Sequence, residues 1–194
     1  MVAAMQCAVH ESAAWEWQEL SVEWYGGRVC PPFEFHLQRT AEELVLRARR
    51  AAPAVVHPAA APGVFQEELW RYDVVELFIA TADARRYLEF NLCPNGAWWA
   101  AGFTEPRVKL AGFDARSLRP ALHAEMQPGG WSCSAALPLA ALRPWGWLPE
   151  GGRLAACAVL CREGEYTYLT SCEQRAGKPD FHRPRDWEPA RLAH

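Results

Sequence analysis

The chain has 194 residues, 51% of them apolar, and its 20 Lys and Arg stand against 23 Asp and Glu for a formal net charge of −3. That length favours one domain over 1–194 with a core that needs no staples. The charge balance argues against nucleic-acid binding and the composition against disorder, and no apolar run approaches the ~20 residues of a membrane-spanning helix.

In chain order, the opening MVAAMQCAVHESAAW lacks a basic stretch, and Glu11 interrupts it before the apolar run of a secretory signal develops, so a cytoplasmic protein is expected. Ala13–Leu20 reads as a short helical piece. Period-two alternation then predicts strands at Phe33–Gln38 and Leu44–Arg50, joined as a hairpin through RTAEE. Ala51 to Gly63 is an Ala/Pro-rich loop, because proline denies donors to a ladder. Strands follow at Asp73–Ala80 and Tyr87–Cys93, and Trp98–Phe103 comes after Asn95-Gly96, a strong hairpin signal. Later strands are Ala121–Gln127, Trp131–Leu137, Arg153–Cys161 and Tyr166–Thr170, with one helical turn at Leu139–Arg143. About nine or ten short strands with few short helices, separated by Gly, Pro, Asn and Asp, predict an all-β, antiparallel, jelly-roll-like β-sandwich. The irregular stretch from Ser171 to the end carries Phe181 and Trp187, bulky rings that favour a segment wrapped onto the domain.

The sharpest chemistry lies in LWRYDVVELFIA. As a strand it puts Val75, Leu77 and Ile79 on one face and Val74, Glu76 and Phe78 on the other. In the next strand Leu88, Phe90 and Leu92 form an apolar face, and Tyr87, Glu89, Asn91 and Cys93 point away. If the two pair, Glu76 comes within about 5–8 Å of Glu89 or Asn91. Carboxylate and amide then share a sheet face edged by Trp70 and Tyr72. Flat rings suit the C–H face of a sugar and these polar groups suit its hydroxyls, but the same pattern also describes the solvated face of an antiparallel sheet. The pattern alone leaves both readings open.

The string W-x-x-D-x-V-E-x-F (Trp70, Asp73, Val75, Glu76, Phe78), followed by E-F-N (Glu89, Phe90, Asn91), resembles the family 9 carbohydrate-binding modules and the wider DOMON-like group that shares their fold. YLEFNLCPNGAWWA and the closing PDFHRPRDWEPARL are in the style of bacterial DOMON-like chains, and the resemblance runs from Phe33 to the end. It implies a β-sandwich whose cleft holds a mono- or disaccharide between two rings. These correspond to Trp70 and to Phe181, which precedes Pro184 and Trp187, while Glu76 and Asn91 match groups that bind sugar hydroxyls. Two positions depart from the sugar-binding pattern. Glu89, an acceptor, stands where those members carry an arginine donor, and Phe181 stands where tryptophan is usual. His182, beside Phe181, is placed either to orient a ligand or to anchor the tail.

Other chemistries find less support. Phosphate-cradling loops, a G-x-S-x-G elbow and zinc-ligand spacings are absent, so no cofactor or metal is expected, and a lone His36 reads as a satisfied side chain. Glu76 and Glu89 could reach glycosidase spacing, yet neighbours on a sheet are more often ligand contacts or a solvated pair. Haem, the other ligand of DOMON-like domains, needs axial Met or His, and His123 and Met126 differ in strand parity. Seven cysteines without a CxxC read as structural free thiols. Among ten tryptophans, Trp98 and Trp99 must face opposite ways, and Trp15, Trp17, Trp24, Trp145 and Trp147 read as packing. The expectation is a non-catalytic binder of a small polar ligand, foremost a carbohydrate, using Trp70, Glu76, Glu89, Asn91, Phe181 and His182. The rivals are an interaction domain that has lost its ligand and displays tryptophan to a protein partner, self-association included, and a haem-binding domain.

Overall fold

The structure, a computed structural model, describes residues 8–10, 16–148, 151–173 and 177–192, with the backbone alone at 8–10 and 191–192. Its described residues form fourteen strands in two seven-stranded sheets and one four-residue α-helix, α1 (Leu139–Leu142). In chain order the strands are β1 (Ala8–His10), β2 (Gln18–Val22), β3 (Arg28–Arg39), β4 (Glu43–Arg50), β5 (Val74–Ala80), β6 (Tyr87–Leu92) and β7 (Trp98–Glu105). They continue with β8 (Val108–Lys109), β9 (Ala121–Gln127), β10 (Gly130–Pro138), β11 (Arg153–Arg162), β12 (Glu165–Thr170), β13 (Glu188–Pro189) and β14 (Arg191–Leu192). One sheet runs β14-β1-β3-β4-β10-β9 with β2 on β3, and the other runs β12-β11-β5-β6-β7-β8 with β13 on β11. Pairing between strands is antiparallel except where β1 lies parallel to β3 and β14.

The alternating sequence makes the sandwich. Phe33, Phe35, Leu37, Leu44, Leu46, Cys133, Ala135 and Leu137 line the inner face of the first sheet. Val75, Leu77, Ile79, Leu88, Phe90, Leu92, Trp98 and Leu154 line that of the second, and all join one core. Period two exposes every other residue to one face, so burying these inner rows fixes the register of both sheets. The predicted β3–β4 and β6–β7 hairpins form, the latter around Asn95-Gly96, where Cys93 N–H donates to Ala97 O and Gly96 N–H to Cys93 O. The Ala/Pro stretch is a loop, and Leu139–Leu142 is the predicted helical turn.

Three readings need correction or restriction. Gln18–Leu20 is not helical. It belongs to β2, which is held by non-local pairing to β3, and a register shift between Leu20 and Val22 hides its alternation. Residues 13–15 of that predicted piece, Trp15 included, lie outside the described residues, as does Cys7. The strand count exceeds the expected nine or ten because β1, β8, β13 and β14 are only two or three residues long, too short for a periodicity signal. The outer face of β5 and β6 is no solvated face, since every residue of both strands is buried. The cover is the C-terminal segment, whose Phe181 and Trp187 pack on Phe78 with centroids 6.3 and 5.1 Å away. Trp187 is buried and its indole N–H donates to Phe181 O at 3.0 Å.

Asp73 shows why an aspartate opens β5. Its carboxylate accepts from Val55 N–H at 3.2 Å and from Cys161 N–H at 2.7 Å, while its own N–H donates to Val55 O. It thereby ties the Ala/Pro loop to the strand and to β11, and the 3-10 turn Leu69–Arg71 that presents Trp70 is anchored by fully buried Leu69. Burial pushes Asp73 above the ordinary carboxylate range, against those two hydrogen bonds and the charges of Arg50 and Arg162. Cys93, Cys133, Cys157 and Cys172 are buried cysteines outside any disulfide, as are Cys30 and Cys161 at less buried positions. His36 is buried, with Nδ1 3.0 Å from Glu16 O.

Candidate functional site

The outer face of the second sheet and the C-terminal segment enclose a cleft of about 450 Å³, within the range of small-molecule sites. Five rings line it: Trp70, Trp99, Phe103, Tyr168 and Phe181. Glu76 and Glu89 are also part of the lining, with Arg107, Asp180 and His182. A smaller recess of about 160 Å³ shares Trp70 and Trp99 and reaches Asn91 and Lys109. Five of the six expected residues (Trp70, Glu76, Glu89, Phe181 and His182) thus surround one cleft, and the sixth, Asn91, lies just behind two of its rings.

Each position follows from the register. Glu76 on β5 pairs with Asn91 on β6, which pairs in turn with Trp99 on β7; Cys157 of β11 flanks Glu76 on the other side. The same register turns Trp98 inward and Trp99 toward the cleft. Tyr168 comes from β12 opposite Val159, which pairs with Val74 on the Glu76 face. Phe181 is wedged between Trp24, Phe78 and Tyr168, with centroids 6.0–6.3 Å apart. Trp70 is 51% exposed, a ring on the rim with the Arg71 guanidinium 5.1 Å from its centroid. Tyr72, expected to edge the site beside Trp70, instead stands edge-on to His57 at 4.9 Å and is not part of the cleft wall.

The polar floor is ordered by hydrogen bonds. Asn91 Nδ2 donates to Glu89 Oε1 at 2.9 Å. Arg107 N–H donates to Tyr87 Oη, which lies 2.7 Å from His182 Nδ1, and His182 Nε2 faces Glu89 Oε2 at 3.5 Å. With a carboxylate before Nε2, the proton belongs on that nitrogen, and Tyr87 donates to Nδ1. His182 therefore both orients Glu89 and anchors the tail. At the rim, the Arg107 guanidinium meets Asp180 at 2.9 Å, and the Lys109 ammonium lies 5.9 Å from the Trp99 centroid.

Glu76 is 4% exposed, and among the described residues no hydrogen bond reaches its carboxyl; Asn91 Oδ1 is likewise buried without a partner. Burial, then the neighbouring Glu89, holds Glu76 well above the ordinary carboxylate range. Burial pushes Glu89 to about 7 against the Asn91 hydrogen bond and the charges of Arg107 and Lys109. His182 is driven down to about 4 by burial and Arg107, so it is neutral at pH 7. At Asp180 burial is outweighed by the Arg107 and His182 hydrogen bonds, and the group stays below its ordinary value.

Trp99, Phe103, Tyr168, Arg107 and Asp180 were not among the expected site residues. A signal for Trp99 existed. Counting outward from Asn95-Gly96 pairs Leu92 with Trp98, and hence Asn91 with Trp99. Arg107 and Asp180 meet across 73 positions of sequence, and no local pattern marks them. Among the described residues, no group of three or more His, Cys, Asp or Glu side chains is arranged to hold a metal ion, and no helix is long and apolar enough to cross a membrane.

No protein-family model matches the chain. Two curated proteins, both described as UPF0462 protein C4orf33 homologues, show similarity. The one from Mus musculus is 46% identical over 39 residues, 20% of this chain and 20% of that protein. The one from Danio rerio is 28% identical over 133 residues, 65% of this chain and 62% of that protein, so the chain spans less than two thirds of either relative. Among solved structures, a proposed carbohydrate-binding protein from Bacteroides uniformis superposes with a TM-score of 0.66 at 19% identity, over 90% of this chain and 84% of that one. A family 9 carbohydrate-binding module from Caldicellulosiruptor kristjanssonii superposes with a TM-score of 0.56 in its complexes with cellotriose (13% identity, 85% of this chain and 82% of that one) and with glucose (14%, 85% and 84%). The chain therefore has the fold of the family 9 modules.

Proposed function

We propose that the cleft binds a small carbohydrate, a mono- or disaccharide, and performs no chemistry on it. The observation that carries this reading is the Glu76 carboxyl, buried and unpartnered among the described residues, at the floor of an aromatic-walled cleft of about 450 Å³. A carboxyl held this way, with little exposure and no hydrogen-bond partner from the described residues, keeps its hydrogen-bonding capacity for what enters the cleft. Trp70 and Phe181 flank the sugar ring, with Trp99 as a further wall, and Glu76, Glu89 and Asn91 meet its polar groups. Support comes from the shared fold with a module that holds glucose and cellotriose. Hydrolysis needs carboxyls flanking the scissile bond, whereas Glu76 and Glu89 lie on adjacent strands of one floor. Titration with mono- and disaccharides, read by tryptophan fluorescence and calorimetry, tests the proposal. Saturable quenching or a blue shift is expected, and no response at millimolar sugar refutes it.

A further inference from the structure

The donors and acceptors of the floor do not balance. Three of its donors are engaged inside the protein: one N–H of Asn91 Nδ2 on Glu89, the Tyr87 hydroxyl on His182, and His182 Nε2 toward Glu89. Acceptor capacity remains on Asn91 Oδ1, buried without a partner among the described residues, and, once it is ionised, on the carboxyl of Glu76, a residue 4% exposed that lines the cleft beside Glu89. A hydroxyl brings one proton and two lone pairs, so an array of hydroxyls leaves such a floor under-filled and its own lone pairs unmet. An ammonium group brings three donors and no acceptor. The walls favour the same group, because the faces of Trp70, Trp99, Tyr168 and Phe181 carry the negative side of the aromatic quadrupole, which attracts a cation over the ring.

Resting on the carbohydrate reading, we infer that the preferred ligand is an amino sugar with a free, protonated amine, its ammonium on Glu76 and Asn91 and its ring between Trp70 and Phe181. The position that departs from the sugar-binding pattern, Glu89, then adds a second carboxyl beside the cation instead of a repelling guanidinium. The basic groups at the rim oppose this only in part. Arg107 is paired with Asp180 at 2.9 Å, Lys109 lies over Trp99, and His182 is neutral at pH 7. Of the other titratable groups facing the floor, Tyr87 and Tyr168 are held above their ordinary range and stay protonated. A cation entering against Glu76 favours its ionised form and opposes the upward pull of burial and of Glu89 on its pKa.

The test is calorimetric titration of the protein at pH 7 with methyl glucosaminide, methyl glucoside and methyl N-acetylglucosaminide, in two buffers of different ionisation enthalpy. The amine is expected to bind at least ~10-fold more tightly than either neutral sugar, and the difference in heat between the two buffers counts the protons exchanged on binding. Glu76→Gln and, independently, Glu89→Gln should shrink the ratio of the methyl glucoside Kd to the methyl glucosaminide Kd to about threefold or less, and an unchanged ratio overturns the assignment of the ammonium to these carboxyls. The amide introduced by Glu89→Gln keeps an acceptor for Asn91 Nδ2, so this variant guards against a simple folding defect. Equal or tighter binding of methyl glucoside overturns the amino-sugar inference and leaves the carbohydrate reading standing. Failure of all three sugars at millimolar concentration overturns both. Equally tight binding of cyclohexylamine, the same ammonium on a ring without hydroxyls, overturns the assignment of a sugar ligand.

Discussion

Replacing Trp70 with alanine separates a ligand platform from a structural ring. Half of the residue is exposed, 51%, and a tryptophan presents roughly 200–250 Å² in all, so about 100–125 Å² of surface is open to a ligand. A sugar ring covering between half and all of it removes about 50–125 Å² from water. At about 25 cal/mol per Å² this contributes about 1.3–3 kcal/mol, a loss of roughly 10- to 150-fold in affinity. The stability cost should stay under about 1 kcal/mol, because Leu69, not Trp70, anchors the turn and the substitution removes only an exposed cation–π pair with Arg71. Calorimetric titration of Trp70→Ala with the tightest-binding sugar, beside thermal unfolding of both proteins, reads the two effects separately. A Kd within about twofold of the parent in a folded variant would refute the platform role. A collapse of Tm would show that the ring is structural.

Other consequences can be measured in the same way. Asp73→Ala removes the acceptor for Val55 N–H and Cys161 N–H and should cost about 2–4 kcal/mol, read as a lower Tm; an unchanged Tm would contradict the clamp assigned to it. Trp187→Ala should cost about 3–5 kcal/mol in denaturant unfolding and speed amide exchange at 180–187, since a buried indole and its bond to Phe181 O disappear together. Glu89 is raised from 4.5 to about 7, so its contribution is fully present below pH 4.5 and is lost as pH rises through 7, by about 3 kcal/mol. Glu89→Gln should therefore become steadily more stable relative to the parent between pH 4.5 and 7.5, and parallel stability curves would rule this out. His182 works in the opposite direction. Lowered from 6.5 to about 4, its contribution is present above pH 6.5 and fades as pH falls through 4, so a non-titrating His182→Asn should lose its deficit relative to the parent on acidification.

Much of the floor was readable from alternation, because a strand buried on one face leaves a period-two trace. The faces of β5 and β6 emerge from Val75, Leu77, Ile79, Leu88, Phe90 and Leu92 alone, and with them the pairing of Glu76 and Asn91. What could not be read was the cover. Alternation states which residues share a face and says nothing of what lies upon it, so a buried ligand floor and a solvated sheet look alike. The wall assembles from distant segments: Phe181 against Trp24 and Tyr168, and Asp180 against Arg107. β2 failed for a related reason. Five residues with a register shift carry too little periodicity to compete with helix-compatible neighbours, and only pairing with β3 makes them a strand.

The closing segment is moored at both ends, by Trp24 Nε1 on Gly177 O at 3.0 Å and by Arg153 Nη1 on Trp187 O at 2.7 Å. Between these moorings, Pro179 to His182 supply one side of the cleft without contributing an inner-face residue to the main core. In the proposed binding role, a combinatorial library restricted to positions 179 and 180, which leaves the packed Phe181 and the His182 anchor in place, should yield folded proteins with altered repertoires, the two sheets serving as a constant frame.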